Sequence, residues 1–170
     1  MKKTITLTYP AGPERVAAML ADPDYQRKRV ERADLSDASI DVAVRGRGFV
    51  STISGSVPPE RLPSAAKRFI RSAPSFNLSE SWGEPADDGS RTGDLDVALR
   101  GAPVKVGATS RMEGSGDSTS VVYDVDLDVS IPLVGRSIEE RAMGLVDRAV
   151  ADEEARGAAW LTEQDRRAHV

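Results

Sequence analysis

Residues 121–131 constrain the fold more than any other stretch. Val121, Tyr123, Val125, Leu127, Val129 and Ile131 fall on one side of a two-residue alternation. Asp124, Asp126, Asp128 and Ser130 fall on the other, and Val122 is the only apolar residue out of phase. Successive side chains of a strand point to opposite faces, so this strand is buried on one side and wet on the other. Burying each of its large apolar side chains contributes about 1.5–3 kcal/mol before chain entropy is subtracted. That face needs a cover.

The residues that follow supply one. Pro132-Leu133-Val134-Gly135 breaks the strand, and a long helix is expected from Arg136-Ser137 onward. Its apolar stripe reads as Ile138, Ala142, Leu145, Val146, Ala149 and Val150 at helical spacing, with Ala158, Ala159, Trp160 and Leu161 as a last contact. Gly157 is expected to kink or fray this helix, since glycine is a poor helix former. Residues 162–170 are polar and read as a mobile tail.

Upstream, residues 3–9 alternate as a half-buried strand that Pro10-Ala11-Gly12-Pro13 ends. Val16, Met19 and Leu20 mark a short helix. Asp22-Pro23 then reads as an N-cap and first-turn proline opening a second helix to about Val30. Strand patterns follow at 40–44, 49–57, 76–82, 95–99 and 104–112, with turns at Arg45-Gly46-Arg47-Gly48 and Gly114-Ser115-Gly116-Asp117. A helix of two to three turns is expected between them at 62–70. Tight turns between consecutive strands favour an antiparallel meander of about six to seven strands. The fold class is therefore α+β, a curved antiparallel sheet wrapped around the C-terminal helix, with two short helices after the first strand.

A chain of 170 residues fits one domain, taken as 1–161 with 162–170 as the tail, and buries enough surface to need no staple. It has no cysteine, which removes disulfides, thiolate nucleophiles and cysteine-based metal sites. With 23 basic and 27 acidic residues the net charge is −4, which argues against a general nucleic-acid binder. No apolar run is long enough for a signal peptide or a membrane span, so a cytoplasmic location without stable membrane insertion is expected. Arginine outnumbers lysine by 18 to 5, a coding bias expected of a GC-rich, actinobacterial genome.

The order of elements resembles the START-like superfamily, also called helix-grip or SRPBCC, which includes polyketide cyclases and lipid-transfer domains. Two stretches are closer to the actinobacterial family known as domain of unknown function 2505. One is the Leu62-Pro63-Ser64 helix inserted before the 76–82 strand. The other is Ile131-Pro132-Leu133-Val134-Gly135-Arg136-Ser137-Ile138-Glu139, entering the final helix. The resemblance spans residues 3–161 and implies a fold and a cavity between sheet and helix, with no activity to carry over. Strand residues expected to line that cavity are Val44, Phe49, Leu78, Glu80, Trp82, Val97, Val106, Met112, Tyr123, Val125 and Leu127. Ala142, Leu145 and Ala149 are expected to line it from the helix.

Glu80 is the most unusual of these, a carboxylate between Leu78 and Trp82 on the inward face. An isolated carboxylate in an apolar cavity is costly unless paired or protonated, and such groups are often functional. The plainer readings are a slipped strand or a partner arginine. Tyr123 has a hydroxyl suited to a ligand or to a backbone carbonyl. Trp82, Trp160, Met112 and Met143 suit a pocket or an ordinary core. The single histidine, His169, lies next to the C-terminus, where a general base would not be held. Asp124, Asp126 and Asp128 diverge along a solvated face rather than converging on a cation. Gln26-Arg27-Lys28-Arg29 with Arg32 reads as a solvated helix face, with an anionic headgroup as the sharper alternative. Neither metal nor cofactor is expected. The leading expectation is a binding protein for a hydrophobic or amphipathic small molecule such as a lipid, polyketide or isoprenoid. The alternatives are a cyclase-, dehydratase- or hydrolase-type enzyme working through Glu80, Tyr123 or an inward arginine, and a ligand-free interaction module, including a homodimer.

Overall fold

The computed structural model describes residues 1–33, 35 and 37–170. Strand β1 (Lys2–Tyr9) leads into helices α1 (Pro13–Leu20) and α2 (Pro23–Arg32). Strands β2 (Ser39–Arg45) and β3 (Gly48–Ser56), a 3-10 turn (Pro59–Arg61) and helix α3 (Ser64–Lys67) follow. The chain continues through β4 (Ser75–Trp82), β5 (Arg91–Arg100), β6 (Val104–Ser115) and β7 (Ser118–Val129), and ends in α4 (Gly135–Ala168). The strands form one seven-stranded sheet in the order β1-β7-β6-β5-β4-β3-β2, antiparallel at every step. This is a helix-grip fold.

Local chemistry accounts for the turns. Asp22 caps α2, its carboxylate accepting from the backbone N–H groups of Asp24 at 2.8 Å and Tyr25 at 3.4 Å. Two-residue hairpins at Gly46-Arg47 and Gly116-Asp117 place glycine first, with φ of 61° and 60°, where a side chain would be strained. The helix expected at 62–70 is shorter than its pattern. Pro63 occupies the N-cap without a side-chain hydrogen bond, and only the turn Ser64–Lys67 is α-helical.

Helix α4 is continuous, and residues 162–168, expected as a tail, extend it. It lies against β1 and β7. Along it, Glu139 accepts from the Val129 N–H at 2.8 Å, Asp147 pairs with Lys3 at 2.9 Å, and Glu154 accepts from the Thr8 N–H at 2.7 Å. Near its end Asp165 pairs with Arg15 at 2.6 Å. Among the turned-in residues, Glu139, Met143, Val146, Val150, Glu153, Gly157 and Trp160 follow one another at alternating steps of four and three, and Leu161 lies beside them. That is the seam of a helix with an apolar repeat of about 3.5 residues. Of the expected stripe, Ile138, Val146 and Val150 turn inward, whereas Ala142, Leu145 and Ala149 do not. All three are exposed, Leu145 at 64%.

The helix runs unbroken through Gly157. This glycine lets α4 approach β1, because a Cβ at this position would overlap Cδ1 and Cε1 of the buried Tyr9 ring. Two apolar clusters result. One gathers α1, α2, the second half of α4 and the strand residues Leu7, Tyr9, Phe49, Trp82, Met112, Val121 and Tyr123. The other joins Ala66 and Ile70 to Leu127, Val129 and Ile131, with Ile138 and Met143 packed against it.

Alanine at 157 would gain helix propensity of about 1 kcal/mol. Overpacking of the Tyr9 ring, about 1–3 kcal/mol, opposes that gain. Gly157→Ala is therefore expected to be neutral or destabilising in urea unfolding. Gly144, with open space around it, is the control: Gly144→Ala should stabilise by about 0.5–1 kcal/mol.

Candidate functional site

Strand register builds the site. Glu80 lies in a row with Ser51, Leu95, Ala108 and Val125. Trp82 lies in the next row with Phe49, Gly93, Ser110 and Tyr123. Strand β4 pairs without a slip, so Glu80 turns inward as its neighbours require and is only 2% exposed. Gly93 makes room for the neighbouring Trp82 ring, which meets Tyr123 edge-on with centroids 6.3 Å apart.

The buried carboxylate has three donors. Its Oε1 accepts from the Tyr123 hydroxyl at 2.5 Å and from Trp82 Nε1 at 3.0 Å. Its Oε2 accepts from Arg29 Nη1 at 3.4 Å. Helix α2 delivers Arg29 because the Asp22 cap sets its phase, placing Tyr25, Arg29 and Arg32 on one face. Arg29 Nε also pairs with Glu153 of α4 at 3.2 Å, and Arg32 approaches the same carboxylate at 3.7 Å. The Tyr25 hydroxyl donates to Glu153 at 2.8 Å, and Gln26 accepts from Arg29 at 3.1 Å while donating to the Leu20 carbonyl at 2.6 Å. Two guanidiniums and two carboxylates thus alternate between helix, sheet and helix, with charges that cancel.

This arrangement shifts the ionisation of its members. Burial, then the charge of Glu80, raises the Tyr123 hydroxyl well above its ordinary value. Burial followed by Glu153 raises Tyr9 and Tyr25. Burial alone would lower Arg29, but Glu153 and Glu80 outweigh it and hold the guanidinium charged.

Beyond this cluster lies an apolar row that crosses six strands. It runs Ile40, Ile53, Leu78, Val97, Val106, Leu127. Ile53 and Leu127 are buried, whereas Ile40, Leu78, Val97 and Val106 are half-buried. Among the described residues, Leu78 and Val97 join neither apolar cluster. They lie on the concave face between the α1–α2 end and the α3 end. At the α3 end a hollow of about 440 Å³ is bordered by Leu62, Pro63, Lys67, Ile138, Ala142 and Leu145. A larger hollow, about 720 Å³, includes the outward-pointing Ser81, Asp94, Thr109 and Arg111 and does not reach Glu80.

Most residues expected to line a cavity do turn to the concave face. Phe49, Glu80, Trp82, Met112, Tyr123 and Leu127 are buried there, and Leu78, Val97, Val106 and Val125 are half-buried. Val44 is 73% exposed at the end of the edge strand β2, where no further strand covers it. Ala142, Leu145 and Ala149 face away from the sheet, for the reason given by the α4 seam. Sequence reasoning missed Arg29, Arg32, Gln26 and Glu153. Arg29 and Arg32 belonged to a run read as a solvated face, although their spacing from Tyr25 was the available signal. Arg27 does pair on the surface with Asp24, and Lys28 lies over the Trp160 ring at 4.9 Å. The Asp124, Asp126 and Asp128 side chains are exposed, and Asp124 pairs with Arg111 at 2.8 Å. Among the described residues no group of His, Cys, Asp and Glu is placed to hold a metal, and no helix is long and apolar enough to cross a membrane.

The family model described as "Protein of unknown function (DUF2505)" matches residues 4–161. No curated protein matches the chain. Among solved structures it resembles a STAR-related lipid transfer protein from Xanthomonas axonopodis, at 17% identity and TM-score 0.55, covering 91% of this chain and 85% of that one. A Mycobacterium smegmatis protein shows 14% identity and TM-score 0.54, over 96% and 92% of the two chains. A norcoclaurine synthase point mutant from Thalictrum flavum, in complex with a transition-state analogue, shows 13% identity and TM-score 0.51, over 97% of each. At these identities the likeness is one of fold.

All three tyrosines of the chain have hydroxyls raised above the ordinary 10.0. The stability they contribute is complete below pH 10 and is lost as pH rises beyond it. Tyrosinate absorbance at 295 nm should therefore be absent from the native protein at pH 10.5 and appear together with alkaline unfolding. A smooth titration centred on pH 10 while the fold persists would contradict the burial.

Proposed function

The chain belongs to the DUF2505 family and has a START-like helix-grip fold, and we propose that it binds a hydrophobic or amphipathic small molecule on the concave face. The observation that carries this reading is the pair Leu78 and Val97. They are large apolar side chains at the centre of the sheet, half-buried and outside both apolar clusters. Leaving apolar area uncovered forfeits about 25 cal/mol per Å², and a ligand lying along the Ile53, Leu78, Val97 and Val106 row recovers it. A concave apolar site with a few convergent polar groups is the usual form of a small-molecule site. The Glu80 cluster supplies those groups at one end. The lipid transfer and synthase names attached to two fold neighbours give precedent for small organic ligands in this architecture.

Binding is favoured over acid–base chemistry because Glu80 and Tyr123 hold each other, with Trp82 and Arg29 taking further acceptor sites of the carboxylate.

Native mass spectrometry of freshly purified protein is expected to show an adduct that denaturing extraction releases as a lipophilic compound. Val97→Trp, which adds bulk beside Leu78 on the apolar row, should abolish the adduct and the uptake of N-phenyl-1-naphthylamine while circular dichroism stays unchanged. An adduct-free wild-type mass together with no uptake of that probe would overturn the reading.

A further inference from the structure

We infer that the bound molecule is a neutral alcohol, its hydroxyl donating to Glu80 Oε2 and accepting from Ser51 Oγ. This rests on the ligand-binding reading above and names the chemistry of its polar end. Ser51 lies directly opposite Glu80 in the β3–β4 register, so their Cβ atoms project from the same face about 4.5–5.5 Å apart. Ser51 is 1% exposed, and among the described residues its Oγ has no hydrogen-bond partner. A buried hydroxyl without a partner is destabilising, and such groups are rare. The facing carboxylate is unevenly used. Its Oε1 holds two donors at 2.5 and 3.0 Å, whereas Oε2 has the long Arg29 contact at 3.4 Å. A carboxylate offers about four acceptor positions, so Oε2 has room for another donor.

The register therefore sets a free acceptor site and an unpartnered donor on facing residues of β3 and β4. Charge decides what fits between them. Arg29 and Arg32 are both engaged with Glu153, and Glu80 balances the remaining cation, so no surplus positive charge waits for a carboxylate or phosphate. No surplus negative charge waits for an amine. A hydroxyl is neutral and satisfies both partners at once. Two residues along the strands on the same face lie Ile53 and Leu78, so the carbon skeleton of the alcohol continues onto the apolar row.

The test is displacement of N-phenyl-1-naphthylamine from the full chain at pH 7.5 by 1-decanol, decyl methyl ether and decanoate. Decanol is expected to bind about tenfold more tightly than the ether, which cannot donate to Glu80, and than decanoate, which Glu80 repels. Ser51→Ala should weaken decanol about fivefold, the worth of one neutral hydrogen bond. Equal affinities of the three ligands, or a preference for decanoate, would overturn the alcohol inference and leave hydrophobic binding standing. So would a Ser51→Ala variant, folded by circular dichroism, with unchanged decanol affinity. Failure of the probe and of every ligand to bind overturns both readings.

Discussion

The structure depends on how one buried carboxylate is kept company. Glu80 sits at the centre of the sheet with almost no exposure, and desolvating a lone carboxylate there would cost several kcal/mol. Its three donors come from β7, from its own strand and from α2. Arg29, the donor from α2, is itself balanced by Glu153 on α4. The chain of charges thus ties helix α2 to the sheet on one side and to the long helix on the other. Such clusters are weak sources of stability but strong sources of specificity, because a misplaced helix would leave a buried charge unpaired.

Different elements cover the two ends of the concave face. Helices α1 and α2 pack over the Trp82, Met112 and Tyr123 end. The short α3 segment and the start of α4 close over Leu127 and Val129. Helix α4 bridges the two ends along β1 and β7, held close by the bare Cα of Gly157 against Tyr9. It is therefore pulled toward one side of the sheet. The central strands β4 and β5 keep Leu78 and Val97 half-buried and outside both apolar clusters.

Much of this was legible in the sequence. The period-two alternation of residues 121–131 could be satisfied only by a sheet with one wet face, and the glycine turns joined its strands in order. The alternation also put Glu80, Trp82 and Tyr123 on one face, because side-chain direction in a strand follows from residue parity alone. Helix α4 was less legible. Its seam contains Glu139, Glu153 and Gly157, residues that no hydrophobic stripe predicts, and the expected stripe mixed the inward Val146 and Val150 with the outward Ala142, Leu145 and Ala149. The outward residues lost because Gly157 fits the Tyr9 ring and Glu153 meets Arg29, and both facts require the partner element to be in place.

The sequence by itself determined the strands, the antiparallel meander and the need for a helical cover, since each follows from local periodicity and turn chemistry, while the register between strands settled that Glu80 turns inward without a slip. Only the tertiary structure decided which arginine meets Glu80, which face of α4 meets the sheet, and where the apolar row stays uncovered. Those choices bring together residues separated by 51 positions, as with Arg29 and Glu80, and by 128, as with Tyr25 and Glu153. Charge pairing and close packing act through space, so no pattern within a single segment encodes them.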